Sequence, residues 1–226
     1  MSTHIALPRV GHLEQLFRVF GYLKGKSKRK IDFDPDHPFI DERRFKKHNW
    51  YDFYRDAKEA IPGDMPPPRE KGVTTHCFED AYLSGNTVTR RSQTGILIFV
   101  NRAPIIWHSK RQNTVKASTC GSGILAKKNA VELIEAIQYK LRMFGVPIYG
   151  PTNIFCDDEA VTKHFLDPTS MLKKKHRSIA FHRNREAVAA GTCRITKEDT
   201  DTNLSDLFTK LLNQIRREDL LNKFTY

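Results

Sequence analysis

Residues 91–112 read RSQTGILIFVNRAPIIWHSKRQ. Two runs rich in β-branched and aromatic side chains, 95–100 and 103–109, flank the dipeptide Asn101-Arg102. Such runs suit a pleated surface, and a two-residue connector between them predicts a β-hairpin. Upstream, residues 75–81 read as one more short strand. Three consecutive strands with short connections pair antiparallel.

The pattern changes downstream of the hairpin. Residues 118–144 predict a long helix whose apolar face is Leu125, Ala130, Leu133, Ile134, Ile137, Leu141 and Phe144. Ser118 or Thr119 caps it, and Gly145-Val146-Pro147 ends it. A strand follows at 152–157, then a short helix from Ala160, a basic helix at 174–190 stopped by Gly191, a strand at 193–196 and a closing helix at 204–212. Strands reached through helices add in parallel, so the expected fold is α/β: a mixed central sheet with helices on its faces.

On the N-terminal side the signals are different. Residues 10–24 carry apolar side chains at helical spacing, and a basic run, 24–30, follows. Residues 31–72 are punctuated by prolines, with a short helix expected around 50–60. The stretch 62–68, with Pro62, Pro66, Pro67 and Pro68, is the best boundary. The expected division is 1–71 as a connecting segment, 72–212 as the main domain and 213–226 as a charged tail.

The 226 residues carry a net charge of +12 and an isoelectric point near 9.6. A chain this basic commonly works beside something anionic, most often nucleic acid. At 39% hydrophobic residues it is not a disordered composition. Cys77, Cys120, Cys156 and Cys193 are far apart with no Cys-x-x-Cys pair, which argues against a zinc site and for reduced thiols in an intracellular protein. No apolar run is long enough to span a membrane.

Three aspartates stand where such a sheet does chemistry. Asp80 lies near the end of the first strand, Asp157 ends the fourth, and Asp206 opens the last helix. Each has a plain structural reading, as a turn residue, a helix cap or a helix-dipole partner. Gathered at one sheet edge they would repel, and bound cations offset such repulsion. Mg²⁺ prefers oxygen ligands, and two such ions roughly 4 Å apart promote phosphodiester cleavage.

Several of these segments together resemble the ribonuclease H region of copia-type retrotransposon Pol polyproteins. The hairpin resembles that family's Ser-x-x-Gly strand leading into Ile-x-Trp-x-Ser-Lys-x-Gln. Further matches are Phe155-Cys156-Asp157-Asp158, Lys175-His176 through His182 with Arg185-Glu186, and Asn203-Leu204-Ser205-Asp206-Leu207-Phe208-Thr209-Lys210. Residues 12–25 resemble the helix that joins the reverse transcriptase to this region. The resemblance covers nearly the whole chain. It implies a ribonuclease H-like five-stranded mixed sheet flanked by helices, with an N-terminal helical connecting segment. It also implies cleavage of RNA in an RNA–DNA hybrid with two Mg²⁺ ions, and the parent reverse transcriptase as a partner in a cytoplasmic particle or the nucleus. Asp80, Asp157 and Asp206 fall on the family's acidic positions. Lys110, Arg111, Lys173, Lys174 and Lys175 are candidate phosphate contacts.

Two departures bear on activity. The family's helix glutamate belongs in a Ser-Glu-aromatic segment that here reads Ser122-Gly123-Ile124, so its position is Gly123. Glu132 cannot replace it, being half a turn out of phase and about 13 Å further along the helix. Glu135 is farther still, and strand alternation turns Glu79 to the face opposite Asp80. Asp80-Ala81-Tyr82 also puts a tyrosine where the family commonly has Asp or Asn, on the strand face of Asp80. The sequence therefore predicts a weakened or inactive ribonuclease H-type domain. A non-catalytic nucleic-acid-binding module is the main alternative. An integrase-type polynucleotidyl transferase shares the sheet and acidic cluster, but the hairpin and the Asn-Leu-x-Asp-x-Phe-Thr-Lys ending argue against it.

Overall fold

The computed structural model describes residues 9–69, 71–86, 88–172 and 178–226. Strands β1 (Thr75–Tyr82), β2 (Gln93–Val100) and β3 (Ala103–Arg111) form an antiparallel meander. Strand β4 (Thr152–Cys156) adds parallel to β1, and β5 (Cys193–Lys197) adds parallel to β4. The order across the five-stranded sheet is β3-β2-β1-β4-β5. This is the ribonuclease H-like mixed sheet that the sequence predicts.

Strand β2 runs through the middle of both cores. Its alternation sends Ile96 and Ile98 to one face and Leu97 and Phe99 to the other. The first face is covered by helices α2 (Thr119–Met143), α3 (Glu159–Leu166) and α4 (Ser178–Ala189). On the second face lie Leu204 and Leu207 of the closing turn and Leu220 of α6 (Gln214–Leu221). Residues 213–226, expected as a charged tail, thus supply a helix with a fully buried leucine.

The buried stripe of α2 is rotated from the expected one. It runs through Ile124, Lys127, Ala130, Val131, Ile134 and Gln138, whereas Phe144 is exposed. Two polar side chains inside the stripe hide it from a reading by hydrophobicity. Lys127 pairs with Glu79, and the Gln138 amide donates to Thr152 Oγ1 and the Thr192 carbonyl. The helix ends as expected at Gly145, whose φ of +74° lets Val146 N–H reach back to the Leu141 carbonyl.

Helix α1 (Val10–Gly25) forms where the periodicity places it and buries no residue. The helix expected around 50–60 is instead a series of turns, in which Phe53 and Tyr54 N–H donate to the Trp50 carbonyl. Six to eight residues before Trp50 the chain lies along β5. Arg44 donates to the Lys197 carbonyl, Thr196 donates to the Arg44 carbonyl, and Glu42 pairs with Arg194. This segment blunts an otherwise open sheet edge. Trp50 sits 5.0 Å from the Arg185 guanidinium, whose Nη1 donates to the Ser170 carbonyl, so the turns at 50–54 are held against α4.

Candidate active site

Asp80 and Asp157 meet because β1 and β4 are parallel and in register. Glu79 lies opposite Cys156, so the next residue of each strand end is an aspartate on the same edge. Asp206 arrives from the other side. It is the first residue of α5 (Asp206–Thr209), a single turn where a helix over 204–212 was expected. The Asn203 side chain accepts from the backbone N–H and hydroxyl of Ser205 and donates to the Glu79 carbonyl, which pins the turn to β1. Gly95, paired with Asp80 across the ladder, lets the turn come close: a Cβ there would lie 2.8 Å from the Ser205 carbonyl oxygen and 2.6 Å from Thr209 Cγ2. Ser109 also donates to the Phe208 carbonyl at 2.6 Å. The polar residues of the hairpin motif therefore position α5.

One oxygen from each of Asp80, Asp157 and Asp206 lies within 4.8 Å of the others. Asp206 has no exposed side-chain surface, and Asp80 and Asp157 have little. Three further residues complete the cluster. Thr209 Oγ1 donates to Asp80 Oδ2 at 2.6 Å. Lys210 Nζ lies 2.7 Å from Asp206, 3.4 Å from Asp80 and 3.5 Å from Asp157. Arg216 donates to the second oxygen of Asp206 at 2.7 Å. Burial pushes the carboxyls of Asp157 and Asp206 above the ordinary range, and the Lys210 ammonium opposes that shift in both. Burial disfavours the Lys210 charge, but Asp206, Asp80 and Asp157 together outweigh it and raise its pKa.

Sequence reasoning found the three aspartates and missed these donors. Lys210 stands one helical turn from Asp206, a visible spacing. Arg216 comes back from α6, and no spacing announces it.

Gly123 lines the same pocket as Asp80, Asp157, Tyr82 and Lys210. The position that the resemblance aligns with the family's helix glutamate thus borders this pocket. Gln112 fixes this part of α2 by donating to Thr94 Oγ1 and the Ser122 carbonyl, both at 3.0 Å. A Cβ at Gly123 would lie 2.6 Å from Val161 Cγ2, so the space that a larger side chain needs is filled from α3. Glu79 also lines this pocket, but its carboxylate is paired with a cation, as are those of Glu132 and Glu135. Glu132 pairs with Lys128, Glu135 with Arg183, and Glu79 is buried against Lys127 at 2.6 Å on the α2 side of the sheet. Asp158 caps α3 by accepting from Val161 N–H. Tyr82 is half-exposed and leans over Gly85, at the rim of the pocket.

The candidate phosphate contacts separate. Lys110 and Arg111 line a groove with His108, Lys116 and Asn129 between the β3 end and α2. Lys173, Lys174 and Lys175 lie outside the described residues, as does His176. His182 bonds the Tyr54 hydroxyl at 2.6 Å, away from the carboxylates. The four cysteines are free, with Cys77, Cys156 and Cys193 buried. Among the described residues no helix is long and apolar enough to cross a membrane.

No protein-family model matches the chain. It is 24% identical over 223 residues, 99% of its length, to the retrovirus-related Pol polyprotein of transposon RE2 of Arabidopsis thaliana. The corresponding polyprotein of transposon RE1 from the same plant is equally similar over the same length. That of transposon TNT 1-94 of Nicotiana tabacum is 24% identical over 60% of the chain. The chain spans only 13% of the length of the two Arabidopsis relatives. Among solved structures, ribonuclease H1 of the archaeon Halobacterium salinarum aligns with a TM-score of 0.45 at 16% identity, covering 65% of this chain and 98% of that one. LC11-RNase H1, solved in complex with an RNA/DNA hybrid, aligns with a TM-score of 0.47 at 12% identity, covering 60% and 93%. The sheet order is ribonuclease H-like, and the chain resembles, over nearly its whole length, two Pol polyproteins of Arabidopsis retrotransposons.

Proposed function

We propose that this chain is a ribonuclease H-type domain that holds RNA–DNA hybrid and has lost, or nearly lost, the metal-dependent cleavage of its RNA strand. One observation carries the reading: three aspartates converge at the sheet edge, and Gly123, which the resemblance aligns with the family's helix glutamate, lines the pocket beside Asp80 and Asp157. The donor set fits Mg²⁺, because all three groups offer hard oxygen atoms. Cys156 lines the same pocket but is no competing ligand, since burial pushes its thiol well above the usual range. Asp80, Asp157 and Asp206 would hold the ion. When bound, it would polarise a water and the phosphodiester and stabilise the leaving oxygen.

The rest is the work of the protein's own side chains. Thr209 and Arg216 fix the orientations of Asp80 and Asp206 by direct hydrogen bonds. Lys110, Arg111 and Lys116 give the groove beside α2 the charge to meet a phosphate backbone. With a net charge of +12, hybrid binding needs no intact catalytic site. The parent polyprotein's reverse transcriptase is the natural provider of such a hybrid.

The test is a labelled RNA–DNA hybrid incubated with the chain in Mg²⁺ or Mn²⁺, with binding and cleavage read from one sample. Binding that weakens linearly in log Kd against log salt, with no product above an Asp157→Asn control, is the expected result. Efficient cleavage abolished by Asp157→Asn would show that three carboxylates suffice and would overturn the loss of activity.

A further inference from the structure

Lys210 occupies a particular place in the carboxylate cluster. Its Nζ lies between 2.7 and 3.5 Å from oxygens of all three aspartates, and its side chain is one-quarter exposed. No other described cation reaches all three; Arg216 touches Asp206 alone. Lys210 is therefore the charge that offsets the mutual repulsion of three carboxylates lodged at one edge. Its position follows from the short helix: α5 ends at Thr209, and Lys210 itself is extended, with its N–H donating to the Asp206 carbonyl.

We infer that the Lys210 ammonium is a resident counter-ion of this site, which a divalent cation must displace in order to bind. The inference rests on the reading of the three aspartates as metal ligands. A metal ion and the ammonium need the same oxygens. Asp206 Oδ1 is held by Lys210 at 2.7 Å and Asp206 Oδ2 by Arg216 at 2.7 Å, so both oxygens of the most buried ligand are already engaged. Lys210 has somewhere to go, because its side chain borders the open pocket with Tyr82 and Asp158. Two consequences follow. The cluster is stable without metal, and its metal affinity is lower than three aspartates alone would give.

Two measurements on the full chain test this. The first is Mn²⁺ affinity by calorimetry or by the electron paramagnetic resonance of free Mn²⁺, for the unaltered chain, Lys210→Met, Lys210→Gln and Asp157→Asn. Removing one unit charge at this range tightens Mn²⁺ binding by about tenfold or more. Both Lys210 variants lower the melting temperature without metal and regain more of it on adding Mn²⁺ than the unaltered chain does. The second needs no variant. Reductive methylation of lysines, read by mass spectrometry, labels Lys210 slowly without metal and faster in Mg²⁺.

Unchanged or weaker Mn²⁺ binding in folded Lys210 variants, or labelling of Lys210 that ignores Mg²⁺, overturns the inference alone, provided Asp157→Asn still abolishes binding. Mn²⁺ binding that survives Asp157→Asn, or none in any form, overturns the metal-site reading and the inference with it.

Discussion

Glu79 and Lys127 face each other across 2.6 Å with almost no solvent on either side. Burial pushes the Glu79 carboxyl upward, and Lys127 opposes it. Removing one partner leaves an unpaired buried group, so Glu79→Leu or Lys127→Met alone should cost about 3–5 kcal/mol, whereas the double variant should recover most of that. Urea denaturation of the three variants measures both numbers, and equal costs for single and double variants would contradict the pairing. His76 stacks on Phe99 at 4.7 Å, and burial lowers its pKa to about 4. Its folded pKa lies below the unfolded value of about 6.5, so the unfolded chain takes up protons first. Stability is then full above pH 6.5 and falls as pH drops from about 6.5 to about 4, by roughly 2–3 kcal/mol. His76→Phe should flatten the melting temperature over that window. Asp157 and Asp206, whose pKa values are raised, contribute the opposite slope, which the variant keeps. At this scale the sequence was partly legible. Strand alternation put Glu79 opposite Asp80, but nothing in a lysine says that it will be buried, so its partner stayed hidden.

Elements place the site more strongly than individual contacts do. The three aspartates come from β1, the end of β4 and α5, and each was legible as an acidic residue at an element boundary. The length of α5 was not, because Asn203 ties the preceding turn to β1 by side-chain bonds that no periodicity reports. Gly95 carries the approach of α5 to β2. Gly95→Ala forces the Ser205 carbonyl and Thr209 aside and should cost about 1–3 kcal/mol. It should also weaken Mn²⁺ binding, since Asp206 and Thr209 move together. Thermal melting with and without Mn²⁺ separates the two effects, and a neutral substitution would mean that α5 is not seated by this contact. The rotated stripe of α2 teaches a related lesson. Hydrophobicity placed the helix and its cap correctly but misplaced its face, because Lys127 and Gln138 spend their polarity on buried partners.

Across the whole molecule, three stretches outside the predicted core are packed onto it. Residues 42–45 cover the β5 edge, the turns at 50–54 hold Arg185, and α6 closes the second face with Leu220. Proline content suggests a boundary near 62–68, but composition says nothing of where an irregular segment docks. The mixed sheet and its strand directions were legible, because crossover helices and a hairpin leave few topologies. We propose that one absent carboxylate, closed over by one valine, disables an otherwise assembled site. Gly123→Glu alone meets Val161 at 2.6 Å and should destabilise α2 against α3. Gly123→Glu combined with Val161→Ala restores both the ligand and its room. The decisive measurement is hybrid cleavage in Mn²⁺ by the unaltered chain and by this double variant. Cleavage should be about 10–100-fold faster in the double variant and be abolished again by Asp157→Asn. Equal rates in the unaltered chain and a folded double variant would contradict it.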